Sequence, residues 1–83
     1  MKPNQPTILV TDTSRGSAIS IIRSLGRRGW RVIAADADPK SLGFRSRFVH
    51  GTVVYPKPES APQAFIAALL AAVRQWQVDL IIP

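Results

Sequence analysis

Two runs of consecutive apolar residues, separated by an amphipathic stretch, limit what this chain can fold into more than any other feature of it. Ile8-Leu9-Val10 and Val32-Ile33-Ala34-Ala35 show no alternation with polar residues. A strand written that way has both faces covered, which is the habit of parallel sheets flanked by helices. Between the runs the period lengthens: Ala18, Ile22 and Leu25, with Ile19 and Ile21 beside them, share one helical face, and Arg23, Ser24, Arg27 and Arg28 share the other. Gly29 supplies a left-handed stop. Thr7 to Asp38 therefore reads as strand, turn, helix and second strand.

The remainder follows the same plan once more. The first strand runs from about Thr7 to Thr11, and after the second strand Pro39 ends regular pairing. Lys40 to Phe48 is a connecting segment, too short and irregular for a full helix. His50-Gly51-Thr52-Val53-Val54-Tyr55 makes a third strand, closed by Pro56 and Pro58. Ser60 with Gln63 three residues on predicts a capping box, Pro62 is tolerated in that first turn, and Phe65, Leu69, Ala72 and Trp76 mark the buried face of the second helix. Val78 to Ile82 is the fourth strand. Helices after strands one and three give the spatial order 3-2-1-4, an α/β fold with three layers and a four-stranded parallel sheet.

One domain over residues 7–83 is expected, preceded by a leader over residues 1–6 that carries two prolines and no periodicity. The chain stops at the carboxyl end of the fourth strand, where α/β domains normally enter a functional loop, so it is expected to be the amino-terminal piece of a longer protein. There is no cysteine, which excludes disulfides, a nucleophilic thiol and cysteine-ligated zinc. No apolar run approaches the roughly 20 residues of a membrane span, and the polar start lacks a signal-peptide core, so a cytoplasmic protein is the default. The net charge of +6, from eleven Lys and Arg against five Asp and Glu, is concentrated between Arg15 and Arg31. With no aromatic residues interleaved for base stacking, a solvated helix face is the expectation ahead of nucleic-acid binding. Unpaired backbone groups at the open edge of strand four would permit a homodimer.

The strand order puts a switch point between strands one and four, and in such folds ligands bind there, beside the free N–H groups that start a helix. Thr11, Asp12, Thr13, Ser14, Arg15 and Gly16 form the turn at that crevice. Ser14 or Ser17 either caps the helix or contacts a ligand, and Gly16 allows a close approach or a positive φ. Nothing local pairs with Arg15. Asp36, at the carboxyl end of strand two, either accepts a ribose hydroxyl or caps the turn that follows; Asp36 with Asp38 shapes a turn before Pro39 rather than a catalytic pair. His50 lacks a second histidine or a carboxylate at ligand spacing and is expected to be structural or on the surface. No catalytic constellation and no metal site stands out.

Two family resemblances follow from these residues. The turn Thr11 to Ala18, with Gly16 in the middle and Asp36 lying 20 residues beyond it, resembles short-chain dehydrogenases and related dinucleotide-binding domains, although Asp12 and Ala18 stand where that pattern has glycine. This is the alternative reading, an NAD(P)-binding oxidoreductase domain. The other resemblance covers nearly the whole chain. Ile8 to Thr11, Ile22-Arg23-Ser24-Leu25-Gly26 with Arg28-Gly29 and Arg31-Val32, Ser46-Arg47-Phe48-Val49, Val54 with Pro56 and Pro58, and Val78-Asp79-Leu80-Ile81-Ile82-Pro83 resemble, in order, the Rossmann-like pre-ATP-grasp domain of carbamoyl-phosphate-synthase-like carboxylate-amine ligases. The Ser-Arg-Phe segment leading straight into the third strand discriminates, since in the dehydrogenases a helix normally intervenes.

That resemblance implies a parent enzyme that activates a small carboxylate with ATP through an acyl phosphate and passes it to an amine or another nucleophile. ATP and magnesium would be held by a downstream ATP-grasp domain of the same chain, with no cofactor in this one. The domain itself would be a non-catalytic scaffold that lends loop residues to the substrate: Thr11, Asp12, Thr13, Ser14, Arg15 and Gly16, with Asp36 and Arg47 held more loosely, Arg47 being equally able to tie the connecting segment to the sheet.

Overall fold

Burial on both faces decides where the first strand must lie. In the computed structural model, which describes residues 5–83, β1 (Thr7–Val10) is buried at every position. It is followed by α1 (Gly16–Arg27), β2 (Arg31–Asp36), a single 3-10 turn (Leu42–Arg45), β3 (Val49–Val54), α2 (Pro62–Trp76) and β4 (Leu80–Ile82). The sheet is entirely parallel in the order β3-β2-β1-β4. The predicted fold class and strand order therefore hold. Of the leader expected over residues 1–6, the first four lie outside the described residues, while the Pro6 carbonyl accepts the Arg31 N–H at 3.1 Å.

Alternation along the inner strands sorts the core into two layers. Ile8, Val10, Val32 and Ala34 face α1, where Ala18 and Ile22 meet them, and Leu9, Ile33 and Ala35 face α2, where Ala72 meets them with Phe65, Leu69 and Trp76 around it. All four residues expected on the inner face of α2 are there. β3, at the other edge, is covered less fully. Its pairing skips His50 between Val32↔Val49 and Ile33↔Gly51, a bulge that leaves His50 exposed.

The helix ends depart from expectation at their starts. α1 closes as predicted, with Gly29 at φ 82, its N–H donating to the Gly26 carbonyl at 3.0 Å and the Trp30 N–H to Leu25 at 3.3 Å. α2, however, begins at Pro62 after Ala61, without a side-chain cap, so Ser60 and Gln63 form no capping box. The chain from Lys57 turns tightly first, Ser60 and Ala61 both donating to the Lys57 carbonyl at 3.2 and 2.9 Å, and this leaves the serine one residue short of the capping position. Among the described residues no helix is long and apolar enough to cross a membrane.

Ile22 is fully buried between α1 and the sheet. Ile22→Ala is expected to lower stability by about 3 kcal/mol in urea denaturation, with an unchanged slope, whereas the exposed Ser24→Ala should stay within about 0.5 kcal/mol.

Candidate functional site

The carboxyl edge of a parallel sheet collects the loops that leave its strands. Here those after β1, β2 and β3 surround an open cleft of about 600 Å³, which lies on the β2–β3 side of β1 and not at the expected switch point between β1 and β4. Its charged lining is Asp12, Arg15, Asp36, Asp38, Lys57 and Glu59, with Tyr55 behind them.

Asp36 ties two of these loops together. The residue is 7% exposed, and its carboxylate accepts the Ser14 N–H at 3.0 Å on one oxygen and the Ala37 and Asp38 N–H groups at 2.7 and 3.3 Å on the other. These bonds serve the turn-closing role, one of the two left open by sequence. Burial by itself would raise the Asp36 pKa, but hydrogen bonds from Ser41, Asp38 and Ser14 outweigh it and hold the carboxyl below its ordinary 3.8. Asp38 continues the turn by accepting the Lys40 N–H at 2.9 Å.

The β1–α1 loop is held from three sides. The Thr11 N–H donates to Ile82 of β4 at 3.0 Å. Thr13 is fully buried, its hydroxyl hydrogen-bonded to that of Ser41 at 2.8 Å and lying 3.4 Å from the Ala35 carbonyl. Gly43 makes this approach possible, because a Cβ there would stand 2.5 Å from both the Thr13 Cβ and its carbonyl oxygen. The third support is Tyr55, whose hydroxyl accepts the Asp12 N–H and donates to the Asp12 carboxylate, both at 3.3 Å.

Three sequence expectations change here. The positive φ belongs to Asp12, at 54°, and not to Gly16, which begins α1 with open space where a Cβ would go. Aspartate is among the few residues with a side chain that visit this region, and both its N–H and its carboxylate are engaged by Tyr55. Neither Ser14 nor Ser17 caps α1: the cap is Arg15, without a side-chain bond, because the Arg15 N–H closes a turn onto the Asp12 carbonyl at 3.2 Å and the helix grows directly from it. Arg47 is not at the crevice. The Phe48 ring packs against Gly26 of α1, and Arg47 lies over that ring, its Cζ 5.1 Å from the centroid, in a separate groove beside the helix.

Thr11 to Gly16 and Asp36 are thus brought together, and Arg15 alone among them offers an exposed cation to the cleft. Sequence reasoning passes over Tyr55, Ser41, Lys57 and Glu59. Tyr55 had a signal, standing at the carboxyl end of an apolar strand and hence on the ligand edge; nothing local marks Ser41. Burial pushes the Tyr55 phenol up to about 12, with the charge of the Asp12 carboxylate reinforcing it, so the hydroxyl stays a donor. Among the described residues no group of three or more His, Asp or Glu is arranged to hold a metal ion. Four carboxylates against Arg15 and Lys57 also make a poor seat for a triphosphate.

No protein-family model matches the chain, and no curated protein matches it.

The chain has one tyrosine, so tyrosinate absorbance reports Tyr55 alone. Its midpoint is expected near 12 instead of 10.0, and lower in Asp12→Asn. Because the folded value is the higher one, Tyr55 favours the folded chain below pH 10.0 and that contribution is lost as pH rises through about 12. Asp36 has the opposite sign. Its depressed pKa gives stability present above 3.8 and lost as pH falls through the lower folded value. Asp36→Asn should cost about 2 kcal/mol at neutral pH and flatten the acid limb of a stability profile.

Proposed function

We propose that the chain is the amino-terminal, substrate-side scaffolding domain of an ATP-dependent carboxylate-amine ligase of the ATP-grasp superfamily, without catalysis of its own. The observation that carries this reading is the occupation of Asp36. A dinucleotide domain uses the carboxylate at this position for a ribose hydroxyl, whereas here both oxygens accept backbone N–H groups of the protein itself. Two further features lean the same way. β2 reaches β3 through one 3-10 turn and Ser46-Arg47-Phe48, without the helix that dehydrogenases place there. The Asp12 carboxylate faces the cleft where a pyrophosphate would need close backbone approach.

In this reading ATP and magnesium belong to a downstream ATP-grasp domain of the same chain, acting in the cytoplasm. That domain packs on the outer edge of β4, where Leu80 is 53% and Ile81 38% exposed, and on Ile66 and Leu70 of α2. Arg15 and Lys57 hold the small carboxylate substrate from the rim of the cleft, and the fixed Thr11–Gly16 loop sets its position.

Titration calorimetry with NAD, NADP and ATP is expected to be flat for this chain. Saturable NAD or NADP binding that weakens in Asp36→Ala would overturn the reading in favour of a short-chain-dehydrogenase-like oxidoreductase domain. The encoding gene provides the positive half of the test. Past Pro83 it should encode a glycine-rich flexible loop, a nucleotide-contacting lysine and a late cluster of Glu and Asn; a Tyr with Lys four residues later in their place speaks for the dehydrogenase.

A further inference from the structure

The arginines of the α1 side are gathered where no carboxylate offsets their mutual repulsion. Arg23 and Arg27 lie one helical turn apart on α1, and Arg45 and Arg47 come from the 3-10 turn and the residues after it; all four are exposed and line one groove of about 480 Å³. Like charges a turn apart weaken a helix. Relief from acidic neighbours is missing too. Of the five carboxylates in the chain, Asp12, Asp36, Asp38 and Glu59 line the cleft at the sheet's carboxyl edge, and Asp79 accepts the Thr7 N–H at 2.8 Å. None lines the groove.

The rest of the lining narrows what the groove can take. Ile19, Leu42 and Phe48 lie among the guanidinium groups, and Leu42 is 57% exposed. An inorganic phosphate would leave that apolar surface unused. Single-stranded nucleic acid would want an aromatic face for its bases, yet Phe48, the groove's aromatic residue, packs on Gly26 and carries Arg47 over its ring, and a duplex held through its phosphates would leave the apolar lining unused as an inorganic phosphate does. Guanidinium forks matched to carboxylates around apolar contacts fit a peptide segment that alternates acidic and aliphatic side chains.

We propose that this groove is a docking site for an acidic, aliphatic-containing segment of a separate partner protein, held by Arg23, Arg27, Arg45 and Arg47 with Leu42 as its apolar contact. It is independent of the carboxyl-edge cleft and of the ligase reading, and it survives the failure of either.

The probe is a fluorescein-labelled dodecapeptide of Glu and Leu in a two-to-one ratio, titrated with the chain by fluorescence anisotropy. Saturable binding is expected, roughly tenfold weaker in the double variant Arg27→Glu with Arg47→Glu and several-fold weaker in Leu42→Ser, with a marked loss at high salt. Arg74→Glu on α2, outside the groove, changes the net charge equally per residue and should leave binding near its original strength; the thermal midpoint of each variant by circular dichroism confirms that it folds. The proposal fails if the peptide does not bind, if Arg74→Glu weakens binding as much as Arg27→Glu alone, if Leu42→Ser has no effect, or if an all-Glu peptide or duplex DNA binds more tightly.

Discussion

β1 is enclosed on four sides, and the geometry of the carboxyl edge depends on that enclosure. Its faces are buried against α1 through Ile8 and Val10 and against α2 through Leu9, and its edges pair with β2 and β4. The backbone is also held at its first residue and just beyond its last: the Thr7 N–H donates to the Asp79 carboxylate at 2.8 Å, and the Thr11 N–H to Ile82 at 3.0 Å. The loop that follows therefore leaves from a fixed point. A single left-handed residue, Asp12, then turns the chain, and Ser14 is caught by Asp36 before the helix begins. The crevice is consequently shaped mainly by backbone groups and internally satisfied carboxylates, with Arg15 and Lys57 left to meet whatever enters it.

Charge in this chain has a division of labour that a net value of +6 conceals. Acidic side chains sit where turns need acceptors: Asp36 and Asp38 close the loop after β2, Asp12 answers Tyr55, and Asp79 receives the start of β1. Basic side chains are spread over α1 and the segment beside it, where they make no comparable contribution to the fold. One end of the sheet is thus mixed in charge and the α1 side strongly positive, so the molecule presents two chemically different surfaces.

The sheet order and the two core layers were legible because they rest on periodicity, which survives in any local context. Ile8-Leu9-Val10 could be buried on both faces only as an inner strand, and Phe65, Leu69, Ala72 and Trp76 could share a face only on a helix. The helix starts were not legible. Ser14, Ser17 and Ser60 are good capping residues, yet whether a serine stands at the cap depends on where the preceding turn releases the chain, and that is set by the Asp12 and Lys57 carbonyls. The positive φ at Asp12 was hidden for a related reason: Gly16 is the cheaper residue locally, but the bonds from Tyr55 that fasten Asp12 come from 43 residues away. The place of Arg47, left open by the sequence, follows the Phe48 ring onto α1, a packing preference with no periodic signature.

The Thr7–Asp79 bond spans 72 residues, and this makes β1 the meeting point of the most local and the most distant pairing in the sheet. β1, α1 and β2 can assemble from neighbouring residues soon after collapse. The other edge of β1 must wait for β4, and closing so long a loop carries an entropic penalty before any of its contacts form. During that interval a bare edge rich in isoleucine, leucine and valine faces water, open to strands from other molecules. Assembly of this small sheet is therefore a race between its own last strand and its neighbours, decided by concentration as much as by sequence.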